Sequence, residues 1–168
     1  KKPEEIHHEG QEDVRRKERI LIAEDNKELN NYLAGELSQM YIVDQAENGK
    51  EAVKLVKQHS YNLIISDVMM PELNGYQLCS ALKNQISTCH IPIILLTAIH
   101  DDDYKLEGYN VGADDYVQKP FNIQHLITRI NNLLKNRAII KNKFFNVVDE
   151  PTFDPNEDPN ALFLNRAT

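Results

Sequence analysis

The sequence predicts an α/β domain in which a five-stranded parallel sheet carries helices on both faces. Three observations lead there. Between residues 19 and 137, short apolar runs alternate five times with amphipathic segments, and strand-then-helix repeats of this kind build parallel sheets through right-handed crossovers. Four of the runs end in polar residues: Ile20 to Ala23 in Glu24-Asp25, Leu63 to Ser66 in Asp67, Ile91 to Leu96 in Thr97, and Tyr116 to Gln118 in Lys119-Pro120. A chain of 168 residues with 41% hydrophobic content fills one domain plus tails and falls short of two.

The elements follow in order. Residues 1–18 mix Glu4, Glu5, Glu9, Glu12 and Asp13 with Arg15, Arg16 and Lys17 and lack an apolar stripe, so they read as a charged linker or helical lead-in. The strands are expected near 20–24, 41–46, 62–66, 92–97 and 115–118. The helices are expected near 27–39, 49–58, 75–84, 102–111 and 122–136. Asn26 is placed to cap the first helix, in which Leu29, Leu33 and Leu37 recur every fourth residue as a stripe for the sheet. Asn74-Gly75 marks the turn into the third helix, and Gly112 stops the fourth before Asp114-Asp115-Tyr116 restarts a strand. The folded domain thus spans 19–137. Beyond it, residues 138–168 read as a linker rich in Asp and Pro, with Pro151, Pro155 and Pro159 among acids. Its end, Ala161 to Arg166, turns apolar again, like the first turn of a further domain.

Composition excludes several classes. A net charge of −7 argues against nucleic-acid binding by this segment, because phosphate contacts need clustered Lys and Arg. Cys79 and Cys89 have no CxxC spacing and lie near apolar neighbours, so both are expected to be reduced, small packing residues. No apolar stretch approaches the roughly 18 residues that span a bilayer, and no signal-peptide pattern opens the chain, so a cytoplasmic protein without membrane contact is expected. The first residue is Lys1 rather than Met, as in a piece of a longer protein.

The C-terminal ends of parallel strands share one edge of the sheet, where open α/β folds place their sites. That edge gathers Glu24, Asp25, Asp67, Thr97 and Lys119. Two unit charges about 4 Å apart repel by roughly 4 kcal/mol at an effective dielectric of about 20, so three carboxylates in one cleft call for a cation. Their oxygens, without His or Cys ligands, suit a hard divalent ion such as Mg²⁺. Lys119 adds a point charge for a phosphoryl group, and Thr97 a hydroxyl donor. Tyr116, on the neighbouring strand, carries a ring able to swing between exposed and buried rotamers. The isomer of the Lys119-Pro120 bond is not determined by sequence.

These residues carry a resemblance. Leu21 to Asn26 (LIAEDN), Ser66 to Gly75 (SDVMMPELNG), Leu95 to Ala98 (LLTA) and Gly112 to Phe121 (GADDYVQKPF) resemble, in order and spacing, the receiver domain of two-component response regulators, the CheY-like family. The resemblance covers residues 19–137 and implies a flavodoxin-like (βα)5 fold with strand order 2-1-3-4-5, for which CheY is a known example. It further implies that Asp67 is the phosphoacceptor for a phosphohistidine of a sensor histidine kinase, and that Asp25, Asp67, the Met69 backbone carbonyl and Glu24 form the Mg²⁺ site. Glu24 replaces the family's usual Asp and leaves open whether it touches the metal. Lys119 matches the phosphate-pairing lysine, Thr97 the switch hydroxyl and Tyr116 the switch aromatic. A receiver of this kind catalyses its own phosphorylation and dephosphorylation.

The family's positions two after the acceptor and two after the switch hydroxyl are Met69 and Ile99, neither able to orient a water, which implies slow self-dephosphorylation. Lys105, Asp114, Asp115 and Arg129 resemble the charged dimer face of transcription-factor receivers, with His125 where an acid is expected, and imply a phosphorylation-dependent homodimer. The flanking segments resemble those of hybrid proteins in which a histidine kinase precedes the receiver and an AraC-type DNA-binding domain follows it. None of the six histidines sits in a kinase phosphodonor motif, so the donor is supplied elsewhere.

Three other readings compete with the receiver. A haloacid-dehalogenase phosphatase expects an Asp where Met69 stands. A flavodoxin-like cofactor binder expects a phosphate loop where Glu24-Asp25 would repel one. A phosphorylation-independent docking or dimerisation module expects an incomplete acidic site.

Overall fold

The computed structural model of the chain describes residues 16–98 and 111–148, with side chains to residue 143. Most of the lead-in, the helix expected near 102–111, Ile99, Lys105 and residues 149–168 lie outside the described residues. Two compact units divide the chain, Lys1–Leu134 and Lys135–Thr168.

In the first unit, β1 (Arg19–Ala23), β2 (Ile42–Ala46), β3 (Leu63–Asp67), β4 (Ile93–Ala98) and β5 (Asp115–Lys119) form one parallel sheet in the order β2-β1-β3-β4-β5. The described helices are α1 (Lys27–Leu37), α2 (Gly49–Gln58), α3 (Gly75–Lys83) and α4 (Ile123–Val148). The fold is the CheY-like, flavodoxin-like one expected.

Period-two alternation along the central strands supplies a separate core to each face. Leu21, Ile64, Ile93 and Leu95 pack with Ala52 of α2 and with Leu78, Cys79 and Leu82 of α3. Ile20, Ile22, Ile65, Ile94 and Leu96 pack with Leu33 and Leu37 of α1 and with Leu126, Ile130 and Leu134 of α4. Burying each such side chain contributes about 1.5–3 kcal/mol, which makes β1, β3 and β4 the rigid base of whatever sits at their ends. β2 lies at the sheet edge and leaves Ile42 45% exposed.

Three asparagines start three helices. Asn26 Oδ1 accepts from Leu29 N at 3.1 Å, Asn48 Oδ1 from Glu51 N at 2.8 Å, and Asn74 Oδ1 from Gln77 N at 2.8 Å, the last closed into a capping box by Gln77 Oε1.

Three expectations need correction. The last helix runs to Val148 instead of 136, because no Pro or Gly interrupts the chain between Pro120 and Pro151. Cys79 is a buried packing residue, but Cys89 is exposed, on the α3–β4 connection. Strand bounds also shift by about one residue, so that β1 ends at Ala23 rather than at residue 24, while Asp67 closes β3 as the sequence implied. Among the described residues, no helix is long and apolar enough to cross a membrane.

Candidate acidic phosphoacceptor site

Three strand ends build the site. β1 stops at Ala23, and Glu24 and Asp25 occupy the turn before the Asn26 cap; β3 delivers Asp67; β5 delivers Lys119. Side-chain oxygens of Glu24, Asp25 and Asp67 lie within 4.8 Å of one another. Lys119 Nζ stands 3.2 Å from Asp67 Oδ2 and 3.1 Å from Glu24 Oε2, and the Lys119-Pro120 peptide is cis.

Burial differs across the cluster. Glu24 is 1% exposed and Asp67 7%, whereas Asp25 is open to solvent. Burial first, and then the charge of Asp67, push the Glu24 carboxyl up to about 7, against the pull of Lys119 and of the Asn26 N–H, which donates to Glu24 Oε1 at 3.2 Å. With all three acids ionised against one ammonium, the local charge is −3 + 1 = −2, which a single divalent cation would neutralise. An all-oxygen donor set, short of positive charge and partly open at Asp25, fits Mg²⁺.

Two close approaches hold the loop after Asp67. A Cβ on Gly75 would lie 2.3 Å from the Asp67 carbonyl oxygen, and one on Gly49 would lie 2.5 Å from the Leu73 carbonyl oxygen. The loop therefore rests directly on the first turns of α3 and α2, where only glycine fits. Met69 lies in it and is 61% exposed.

Thr97 is 2% exposed, and its Oγ1 is buried without a hydrogen-bond partner. The β4–β5 register sets Leu95 beside Tyr116 and Thr97 beside Gln118. Tyr116 is half-buried against the α2–α3 core. A cavity of about 450 Å³ borders Thr97 and Tyr116, with His125 and Arg129 on its wall.

The residues expected on a dimer face separate into two pairs. Asp115 Oδ1 accepts from Arg129 Nη1 at 2.6 Å. Asp114 turns away to Lys83 of α3 at 2.8 Å and also accepts from Ile93 N at 2.8 Å, joining α3, β4 and β5. Lys105 lies outside the described residues.

Sequence reasoning missed Asn30. It is 3% exposed, and its amide touches the Glu24 backbone. The available signal was its place in the inward stripe Asn30-Leu33-Leu37, a polar residue at apolar spacing.

Comparisons with known proteins identify the family. The family profile "Response regulator receiver domain" matches residues 20–131. A Formosa agariphila protein named "Histidine kinase P4" is 48% identical over 130 residues, which cover 77% of this chain and 10% of that protein. "Response regulator ArlR" of Staphylococcus aureus is 41% identical over 117 residues, covering 69% of this chain and 52% of that protein. The crystal structure of the signal receiver domain of a signal transduction histidine kinase from Syntrophus aciditrophicus superposes with a TM-score of 0.68 at 38% identity, covering 71% of this chain and 91% of that one. The chain thus spans from a tenth to about half of the curated relatives it matches.

Proposed function

This chain belongs to the response regulator receiver domain family, which works by phosphorylation in two-component signalling, and from that premise we propose that Asp67 accepts a phosphoryl group from a phosphohistidine of a sensor histidine kinase. The observation that carries the reading is the convergence of Asp67 with Glu24, Asp25 and Lys119 at one sheet edge. An Asp67 carboxylate oxygen bonds to phosphorus as the P–N bond breaks. The electron pair stays on the imidazole nitrogen, which takes a proton from water, and Asp67 becomes an acyl phosphate. Lys119 pairs with a phosphoryl oxygen, and the buried, unpartnered Thr97 hydroxyl donates to another. Glu24, Asp25, Asp67 and the Met69 backbone carbonyl would hold Mg²⁺. When bound, the ion supplies positive charge to the phosphoryl oxygens.

Movement of Thr97 toward the phosphoryl group would draw Tyr116 inward and reshape the surface around β5 and α4, including the Asp115–Arg129 pair, so that two copies can associate. The match to a small part of a histidine kinase supports a hybrid protein, and in our reading this receiver controls transcription from the cytoplasm. In that reading DNA is bound by a downstream AraC-type domain rather than by this acidic segment. The test is labelling by phosphoramidate with Mg²⁺. Intact protein should gain one base-labile, hydroxylamine-sensitive phosphoryl group, and Asp67→Asn should gain none. Failure of the intact chain to label would favour a phosphorylation-independent docking module.

A further inference from the structure

Asn30 lies on the buried side of α1, one turn after the Asn26 cap. Its Nδ2 donates to the carbonyl oxygens of Glu24 at 2.9 Å and Ala46 at 3.0 Å, and its Oδ1 accepts from Gln45 Nε2 at 2.9 Å. The Ala46 carbonyl also accepts from the Glu24 N–H at 3.1 Å. Residue 24 is therefore gripped on both sides of its backbone, through its N–H by the last carbonyl of β2 and through its C=O by Asn30.

We infer that Asn30 is a positioning residue for the metal site. It sets where the chain leaves β1, and so where the Glu24 and Asp25 carboxylates stand relative to Asp67. The inference rests on the Mg²⁺ reading of that cluster.

The three contacts suit an amide, which donates twice and also accepts from Gln45, whereas Lys or Arg could only donate. Two carbonyl oxygens can only accept, so the group between them must present two N–H bonds, and a primary amide nitrogen has two. A Ser or Thr hydroxyl has one. An Asp at 30 would face both carbonyls with oxygen and add a fourth carboxyl group beside a cluster that already holds three. Gln45 fixes the amide's orientation from outside: its Nε2 reaches both Asn30 Oδ1 and Asn31 Oδ1 at 2.9 Å from an exposed position on the edge strand. The end of β2 is thereby linked to the acidic pair through one buried side chain.

The experiment uses the full chain with Asn30→Ala and Gln45→Ala, and reads the Mg²⁺ dissociation constant by calorimetry. It also measures phosphoramidate labelling against Mg²⁺ concentration and the urea midpoint in EDTA. Groups that orient metal ligands typically change affinity by about 10-fold or more when removed, so Asn30→Ala should raise the Mg²⁺ dissociation constant ~10-fold. Its labelling rate at saturating Mg²⁺ should stay within about twofold of wild type. Gln45→Ala should move the constant the same way by a smaller factor. A folded Asn30→Ala with a lower urea midpoint but an unchanged Mg²⁺ constant would overturn the inference and leave a merely structural residue. Should Asn30→Ala fail to fold, Gln45→Ala decides, and an unchanged constant there overturns it. A wild type that neither binds Mg²⁺ nor labels overturns the reading of the site and this inference with it. A wild type that does both beside an unaffected Asn30→Ala overturns this inference alone.

Discussion

Lys119 Nζ lies 3.2 Å from Asp67 Oδ2, so that the last residue of β5 reaches across the end of β4 to the last residue of β3. The same ammonium is 3.1 Å from Glu24 Oε2, so one positive charge serves two carboxylates that are almost fully buried. Removing one partner of a buried ion pair leaves charge uncompensated in a poorly solvated place. Lys119→Ala should therefore lower the unfolding free energy at neutral pH in EDTA by up to about 3 kcal/mol. Mg²⁺ should restore much of it. Urea titrations with and without Mg²⁺ measure both quantities, and a midpoint unaffected by the substitution would contradict this account.

Thr97 offers the opposite case. Its hydroxyl is buried and unpartnered, a cost to the resting fold that a methyl group of the same shape would remove. Thr97→Val should leave stability unchanged or raise it by about 1 kcal/mol at most. It should at the same time abolish the phosphorylation-dependent shift of Tyr116 and Val117 amide resonances, because no donor remains to follow the phosphoryl group. A full shift in the variant would remove Thr97 from the switch.

Asp44 supplies a pH dependence. Burial pushes its carboxyl up, but hydrogen bonds from Tyr61 at 2.7 Å and Arg19 at 2.9 Å outweigh it and hold the group below its ordinary 3.8. The carboxylate form is thus favoured by folding. Its contribution is present in full above the unfolded value of 3.8 and is lost as pH falls through the lower folded value. Asp44→Asn should destabilise the protein at neutral pH, and the difference from wild type should vanish on the acid side of that window. A difference that stays constant across the whole range would show that the Asp44 carboxyl contributes nothing through its ionisation.

Met69 bears on how long the signal lasts. Its thioether side chain is exposed two residues after Asp67 and cannot orient a water for attack on an acyl phosphate. The phosphorylated protein should persist for minutes or longer, and Met69→Asn should shorten that lifetime. Decay of labelled protein after removal of phosphoramidate measures it. A lifetime of seconds, no shorter in the variant, would sink the idea.

Much of the fold was legible because buried parallel strands write themselves as apolar runs. Leu63-Ile64-Ile65 and Ile93-Ile94-Leu95-Leu96 have no other economical reading between amphipathic segments. The caps Asn26 and Asn74 were legible for a similar reason, since a helix start is a local hydrogen-bonding problem with a local solution. The helix continues past residue 136 because no Pro or Gly stops it there, and the Asp- and Pro-rich composition farther along does not report where it ends. Cys89 was misplaced because neighbouring apolar residues do not report which side of a connection faces out.

The sequence by itself determined the chemical inventory of the site: which carboxylates, which lysine and which hydroxyl stand at strand ends, in an order that matches one family. Only the tertiary structure decided how they act on one another. That Glu24 is buried and held by Lys119, that Asp25 stays exposed, that Asp114 turns to Lys83 while Asp115 turns to Arg129, and that Asn30 clamps the chain at Glu24 all depend on contacts between residues distant in sequence. Hydrophobic periodicity states which face is buried, whereas a polar partner is selected by distance and direction once the strands are in register.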